Sequence, residues 1–469
     1  MVDLDGTLIH TDLLHESVLS VLRGRPLDIL RIPFWLLKGK AVLKQHLATR
    51  ADFDPRVLPY NEALLDWLKK QKSAGRKLIL CTASDQLIAR SIADHLGIFD
   101  EVIASDGSIN LAGPHKAAIL EQRFGRAGFD YVGNSNIDLI VWKRARRAIV
   151  VNASKDLIRK VQSSCEVERI FLKKTLNFTL WRRVLRVHQW LKNLLLFVPV
   201  FAAHQFTRVD LWGPLIFAFF SFSLCASSVY IINDLLDLKS DREHPHKRNR
   251  PFASGRLPAW MGVALAPVLL IISLKLGSYV GGSFLPWLGF YFFLTCAYSL
   301  GIKRLMLVDC LVLAMLYTLR IIAGASVISN SLSFWLLAFS VFLFLSLAFL
   351  KRYAELEVSL LSGKKKVQGR GYYTSDAPLI QTFGITSGYA SVLVLALYLN
   401  SDMVVKFYKI PEIIWGAVPI MLFWISWMWM QAHRGNMHDD PLVFAVKDKT
   451  SLWTGVAFTV VMGMGSLPW

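Results

Sequence analysis

The run from Trp212 to Leu236, WGPLIFAFFSFSLCASSVYIINDLL, continues into an acidic segment: Asn233-Asp234-Leu235-Leu236-Asp237-Leu238-Lys239-Ser240-Asp241-Arg242-Glu243-His244-Pro245. An apolar run of this length is a candidate to cross a bilayer as a helix. Asn233, Asp237 and Asp241 follow an i, i+4, i+8 spacing, and Asp234 stands three before Asp237. On a helix all four lie near one face. Carboxylates gathered at a membrane boundary repel one another and lose hydration, so they need cations. Magnesium bridging a diphosphate suits them, because it takes oxygen ligands and substrate phosphates. A solvated juxtamembrane helix would need no such spacing.

Around this segment the rest of the chain falls into two parts. Residues 1–180 are mixed and charged, whereas 190–469 carry repeated apolar runs. Nine candidate spans are expected, near 190–207, 212–236, 259–277, 284–301, 305–328, 333–351, 378–400, 411–431 and 451–467; the first is short. Loops after the even-numbered spans hold most of the Lys and Arg, including Arg242, Lys247, Arg248, Arg250, Lys303, Arg304, Lys351, Lys364 and Arg434. Loops after the odd-numbered spans hold only Arg208, Lys275, Lys406 and Lys409. The positive-inside rule then puts residues 1–180 on the cytoplasmic side of a bacterial inner membrane and the C-terminus outside. The net charge of +19 is sorted by membrane side, which argues against nucleic acid as a partner. The five cysteines form no CxxC pair, so neither disulfides nor a zinc site are expected. The opening MVDLDGTL lacks the basic region and apolar run of a signal peptide, again an expectation of a cytoplasmic N-terminal domain.

That N-terminal part opens with Val2-Asp3-Leu4-Asp5-Gly6-Thr7-Leu8, two aspartates at a strand end before a glycine turn. Further strands are expected at Leu78–Cys81, Val102–Ala104, Tyr131–Val132 and Ala148–Val151. Helices are expected between them, for example at Glu62–Lys72 and Lys116–Phe124. The alternation predicts an α/β domain with a parallel sheet, and a site beyond the carboxyl ends of its strands.

Over residues 1–165 these features resemble the haloacid dehalogenase-like (HAD) superfamily. The resemblance implies Asp3 as a nucleophile toward phosphorus, Asp5 as general acid/base, Thr82 as a phosphate ligand, and Lys116 as the group offsetting phosphate charge. Asp3, Asp5, Asn134 and Asp138 would be the metal set. Two departures stand out. Asn134, in Gly133-Asn134-Ser135-Asn136-Ile137-Asp138, replaces a family carboxylate, and only two residues precede Asp3, so the first strand is expected to be nearly absent. The insertion at about 10–59 implies a helical cap that chooses the substrate. Its apolar stretch LDILRIPFWLL is read as core packing, with a resting place on the bilayer surface as the alternative.

After a linker at 166–185, residues 186–469 resemble the UbiA prenyltransferases, an all-α polytopic fold. The acidic segment, followed by Lys247-Arg248-Asn249-Arg250-Pro251, is similar to the family's first signature. The second signature reads Ala297-Tyr298-Ser299-Leu300-Gly301-Ile302-Lys303-Arg304 and then Asp309, but Leu313 stands where a second aspartate is usual. With RVHQWLKN at Arg186–Asn193 and KRYAEL at Lys351–Leu356, the departure looks like the decaprenyl-phosphate phosphoribosyltransferase branch. The implied reaction moves 5-phosphoribose from phosphoribosyl pyrophosphate (PRPP) to a polyprenyl phosphate. Asp234, Asp237 and Asp241 would hold Mg2+ on the pyrophosphate, and Lys303 and Asp309 would act beside them. Asn233, Lys192, Asn193, Lys247, Arg248, Arg250, Tyr298, Arg304 and Arg320 would bind substrate. For Lys192 a snorkelling position is the competing reading. Arg320, inside a span, is expected to face a cavity or pair with a carboxylate. Two further readings stay open: an aromatic prenyltransferase of the 4-hydroxybenzoate type, and a HAD-like half that serves only as a scaffold.

Overall fold

In the computed structural model of the protein, the residues described are 1–172, 177–244, 247–281, 283–329, 333–363, 365–367, 370–401, 408, 410–437 and 440–466. Pro245 and the loop lysines Lys364, Lys406 and Lys409 lie outside them, as do residues 173–176 of the expected linker. Two compact units are present, one of Met1–Val184 with Tyr230–Ala266, the other of Leu185–Val229 with Pro267–Trp469.

The expected strands form in the first unit as β1 (Ile79–Asp85), β2 (Glu101–Ser105), β3 (Tyr131–Gly133) and β4 (Ala148–Val151), all in parallel pairings. Pairs β1–β2 and β3–β4 are joined by Val2, which bridges in parallel to both Leu80 and Val132. The Val2 amide donates to the Ile79 carbonyl at 2.8 Å and the Asp3 amide to that of Val132 at 3.0 Å. The shortened first strand therefore sits centrally and delivers Asp3 at its carboxyl end. Inside the expected linker, Val167–Phe171 forms a further strand, β5, parallel to β4. Its Val, Ile and Phe residues suit a pleated, half-buried edge.

Alternate side chains of each strand enter different layers. Leu80, Val132, Ile149 and Val151 pack with Leu64, Leu68, Ile88 and Ile92. Ile79, Cys81, Tyr131, Ala148 and Val150 pack with Ala117, Leu120, Leu157 and Val161. Burial on both faces explains why the strands read as short, continuous apolar runs.

The cap is helical, with elements at Leu13–Gly24, Pro26–Arg31, Ile32–Leu37 and Lys40–Ala48. Asp12 caps the first, accepting from the Leu14 amide at 2.9 Å. Its small core holds Val21, Trp35, Leu43 and Leu47. The expectation of core packing for LDILRIPFWLL is corrected: Trp35 is buried, but Leu27, Leu30, Phe34, Leu36 and Leu37 are exposed. The 3-10 turn and the short helix turn only one side toward the cap core.

Six described helices are long and apolar enough to cross a membrane: Val209–Leu236, Ala259–Val280, Val308–Val327, Phe334–Leu361, Thr374–Leu399 and Glu412–His433. Phe284–Leu300 is shorter. The first expected span is a 3-10 stretch, Val187–Phe197, followed by the short helix Val198–Ala202, and the last is the helix Lys449–Ser466. Neither is among the six, and the described residues do not confirm the count of nine. Small residues draw helices together in the second unit, as interfaces in lipid require. A Cβ on Gly384 would lie 2.2 Å from Trp429, and one on Gly388 would lie 2.7 Å from Ile425.

Candidate functional site

In the first unit the HAD-like motifs meet at the carboxyl end of the sheet. Lys116 Nζ donates to Asp3 Oδ1 at 2.7 Å and to the Tyr131 hydroxyl at 2.9 Å. Burial works to lower the Lys116 ammonium, but the Asp3 carboxylate overcomes it and holds the group above its ordinary value. Thr7 Oγ1 donates to Asp3 Oδ2 at 3.2 Å. Asp5 accepts from the Leu13 amide at 2.8 Å and from Ser84 Oγ at 2.5 Å. Burial, then the neighbouring Asp12 carboxylate, pushes Asp5 up to about 7, a value at which a carboxyl can hold or release a proton near neutrality. Thr82 is fully buried and its Oγ1 accepts from the Ser84 amide at 3.0 Å.

The fourth motif is satisfied internally. Asp138 accepts from the Tyr131 hydroxyl at 2.9 Å, the Asn134 and Ser135 amides at 3.1 and 2.9 Å, and Ser135 Oγ at 2.8 Å. Asn134 packs over Gly6, which has φ +71° and leaves 2.1 Å between the amide nitrogen and a would-be Cβ. Of the expected metal set Asp3, Asp5, Asn134 and Asp138, the last is thus committed to four donors and Asn134 carries no charge. These residues do not fit a divalent ion held by carboxylates. Three participants carried no sequence signal of their own: Tyr131, Ser84 and the cap residue Lys44. Lys44 Nζ reaches the Ala83 carbonyl at 2.5 Å and Asn110 Oδ1 at 3.0 Å.

The acidic segment also belongs to the first unit. The helix that ends at Leu236 and the helix Leu238–Glu243 meet at Asp237, and i to i+4 backbone bonds continue through it from Asn233 and to Asp241. Arg250 Nη1 donates to Asp234 Oδ1 at 3.1 Å and to Asp241 Oδ2 at 2.6 Å. Both carboxylates are buried, and burial raises Asp241. Asp237 instead faces Arg23 of the cap at 3.4 Å. Two of the three predicted aspartates therefore converge on one cation. Lys247 and Arg248 are exposed nearby, and Asn233 is half-buried. Among the described residues no group of three or more His, Cys, Asp or Glu stands close enough to hold a metal. Yet Asp234 and Asp241 are hard oxygen donors that already share a cation between them, so they fit a divalent ion in exchange for the guanidinium.

The second unit holds a buried polar network of mostly cationic groups. Asp309 is fully buried and accepts from Arg352 Nη2 and the Tyr372 hydroxyl, each at 2.5 Å, with Arg370 at 3.8 Å. Arg370 also donates to the Tyr298 hydroxyl at 2.9 Å and to the Lys303 carbonyl at 3.4 Å. The second signature is thereby folded around an arginine from the loop after Leu361; Lys303 is half-buried and Arg304 exposed. Asp440 accepts from Lys192 at 2.7 Å, from Lys351, the neighbour of Arg352, at 3.1 Å, and from Tyr317 at 3.0 Å. Lys192 does not snorkel; it is buried against this carboxylate. Burial works to raise Asp440, but Lys192 and then Lys351 overcome it and hold the carboxyl well below the usual carboxylate range. Asn193 accepts from Arg320 Nε at 2.8 Å and donates to Ser223 at 2.9 Å. Arg320 further bonds the Tyr291 hydroxyl at 3.0 Å and the Leu316 carbonyl. Its partners are neutral oxygens, so of the two expectations, a cavity or a carboxylate, the carboxylate pair is not formed. Lys351, Arg352 and Asp440 carry no sequence signal as site residues, because contacts across separations of 43 to 248 residues leave no local spacing.

The fold and these groups define a membrane-embedded transferase domain joined to a HAD-like domain. A family model described as the UbiA prenyltransferase family matches residues 194–453, and one described as haloacid dehalogenase-like hydrolase matches residues 1–139. The chain belongs to the UbiA prenyltransferase family and carries a HAD-like domain at its N-terminal end. It is 38% identical to the protein y4nM of Sinorhizobium fredii over 98% of this chain and 90% of that protein. It is 37% identical to the nodulation protein NoeC of Azorhizobium caulinodans over 57% of this chain and 87% of that one. A decaprenyl-phosphate phosphoribosyltransferase of Mycolicibacterium smegmatis is 34% identical over 41% of this chain and 62% of its own length. Among solved structures, a UbiA homolog from Archaeoglobus fulgidus bound to GPP and Mg2+ matches 60% of this chain and 99% of its own, at 15% identity and a TM-score of 0.47.

Proposed function

We propose that the membrane domain transfers 5-phosphoribose from PRPP to a polyprenyl phosphate, of the decaprenyl class, with release of pyrophosphate. The observation that carries this reading is the make-up of the second signature: where an aromatic prenyltransferase would have a second acidic cluster, Asp309 is bound by Arg352 and Tyr372, with Arg370 beside it. Lys192 and Lys351 add two more buried cations around Asp440. Such a set suits anionic phosphate groups on both substrates. The relatives described as decaprenyl-phosphate phosphoribosyltransferases support the same assignment.

In this mechanism a phosphate oxygen of the lipid attacks the anomeric carbon while the bond to pyrophosphate breaks, through an oxocarbenium-like transition state. No protein nucleophile is needed, so orientation and charge neutralisation supply the catalysis. Lys192, Lys351, Arg352 and Arg370 bind and orient the phosphates, and Asp309 and Asp440 fix those cations in place. Lys303, Arg304, Tyr298, Arg248 and Lys247 are assigned to substrate phosphates, and Asn193 orients Arg320. Asp234 and Asp241 would hold Mg2+, which neutralises the leaving pyrophosphate when bound.

The HAD-like domain is assigned to removal of the 5-phosphate from the lipid-linked product on the cytoplasmic side, with Asp3 as nucleophile, Asp5 handling the proton and Lys116 offsetting charge. Tethering raises the local concentration of the product. Purified protein given polyprenyl phosphate and PRPP should form a phosphoribosylated lipid by mass spectrometry and release both pyrophosphate and phosphate. Asp3→Asn should abolish only the phosphate. A product formed from prenyl diphosphate and an aromatic acid, without need of PRPP, would overturn the transferase assignment. Phosphate release unchanged in Asp3→Asn would overturn the phosphatase assignment. The likeness to NoeC supports a role for the product in nodulation.

A further inference from the structure

The cap carries an apolar surface that its own fold leaves uncovered. Leu27 is 79% exposed, Leu30 69%, Phe34 68% and Leu37 85%. Between them Trp35 turns inward, stacked on His46 at 5.0 Å with the Arg50 guanidinium 4.9 Å from its ring. Beside the patch an open cleft of about 410 Å3 is lined by Arg25, Pro26, Leu27, Asp28, Arg31 and Arg50. Three guanidinium groups there face one carboxylate, since Arg31 and Arg50 share Asp28 at 3.1 and 3.7 Å. Exposed Lys38 and Lys40 follow the patch in sequence.

We propose that residues 25–40 of the cap form an interfacial anchor that seats on the anionic surface of the bilayer. Leu27, Leu30, Phe34 and Leu37 enter the acyl boundary, and Arg25, Arg31 and Arg50 hold a lipid phosphate. Apolar side chains bounded by Arg and Lys are what a helix lying in a membrane interface presents. The surface is not the substrate side of the cap. That side is marked by Lys44 and by Gln45, whose side-chain oxygen lies 2.5 Å from a would-be Cβ on Gly107.

The bilayer is also within reach. Within this unit the cap is tied to the segment that follows the membrane helix ending at Leu236. Glu16 pairs with Arg242 at 2.5 Å, Asp52 with Lys239 at 2.6 Å, and Arg23 with Asp237 at 3.4 Å. Three ion pairs to residues one to six positions past a membrane span hold the cap at the membrane boundary. There an exposed leucine-rich patch has acyl chains to meet.

The test uses the full chain in bilayers, with Cys165 and Cys296 replaced by serine and a nitroxide on Leu37→Cys or Leu30→Cys. Lys69→Cys, on the exposed face of Glu62–Ser73, is the control. Collisions with oxygen, which concentrates in lipid, should exceed those with a water-soluble nickel chelate at both cap positions and not at the control. The preference should strengthen when phosphatidylglycerol is added to phosphatidylcholine, and Arg25→Glu with Arg31→Glu should remove that strengthening. Chelate access at Leu37→Cys equal to the control in both bilayers would overturn the anchor. An oxygen preference that ignores phosphatidylglycerol would overturn the headgroup site, and spin–spin broadening would put a second copy of the chain on the patch instead.

Discussion

Asp309 shows how one side chain changes meaning with its partners. As a lone aspartate in sequence it is expected to act with Lys303 beside the metal-binding aspartates; in the fold it is a buried counter-ion that fixes Arg352, with Tyr372 bound beside it. Asp309→Asn leaves Arg352 with Glu355 as its remaining carboxylate partner, so the cost stays within the range of about 3–5 kcal/mol for a broken buried pair. The expected result is a large drop in thermal stability in detergent and loss of transferase activity. Tyr372→Phe removes the bond to Asp309 and the one accepted from the Leu307 amide at 2.7 Å, together about 2–4 kcal/mol, and should lower stability while leaving the Asp309–Arg352 pair and part of the activity. Asp440 predicts a pH dependence. Its carboxyl is held below the usual range in the fold, so its stabilising contribution is present above the unfolded value of about 3.9 and is lost as pH falls through the lower folded value. The stability gap between the wild type and Asp440→Asn, measured by thermal unfolding, should be full at neutral pH and close only in strong acid.

At the scale of elements, the cap helix Leu13–Gly24 and the membrane helix pair around Gly384 and Gly388 are the most exposed to single changes. Asp12 caps the first helix with hydrogen bonds to the Leu14 and His15 amides. Asp12→Ala should lower stability by about 0.5–2 kcal/mol, read as earlier local unfolding of the cap in hydrogen exchange. Leu13 donates its amide to Asp5, so the same variant should also slow the phosphatase step while leaving pyrophosphate release unchanged. Gly388 has no room for a side chain, since Ile425 and Ser346 stand 2.7 and 2.9 Å from a would-be Cβ. Gly388→Leu should force the helices Phe334–Leu361 and Ala377–Leu399 apart and reduce the yield of folded protein on gel filtration. Asp237, at the junction of two helices, turns to the cap while Asp234 and Asp241 share Arg250. A spacing rule treats all three alike; their partners, Arg23 of the cap on one side and Arg250 on the other, separate them.

For the whole molecule, the proposed orientation puts the HAD-like domain in the cytoplasm. Membrane-impermeant thiol reagent added to intact cells should leave a Lys69→Cys variant unlabelled, and labelling without lysis would reverse the orientation. Sequence by itself determined the two-part architecture, because apolar runs long enough for a bilayer and alternating strand and helix patterns are local, periodic signals. It also marked Asp3 with Asp5, and Asp234 with Asp241, as candidate site residues, because each pair stands at a short, fixed spacing. Only the tertiary structure decided what those residues hold. Lys192 meets Asp440 across 248 positions, Arg352 meets Asp309 across 43, and Val2 bridges β1 to β3. It also decided that the cap's leucines face outward while Trp35 faces in. Pairing between distant charges and the choice of a buried face are set by packing, and packing has no period along the chain.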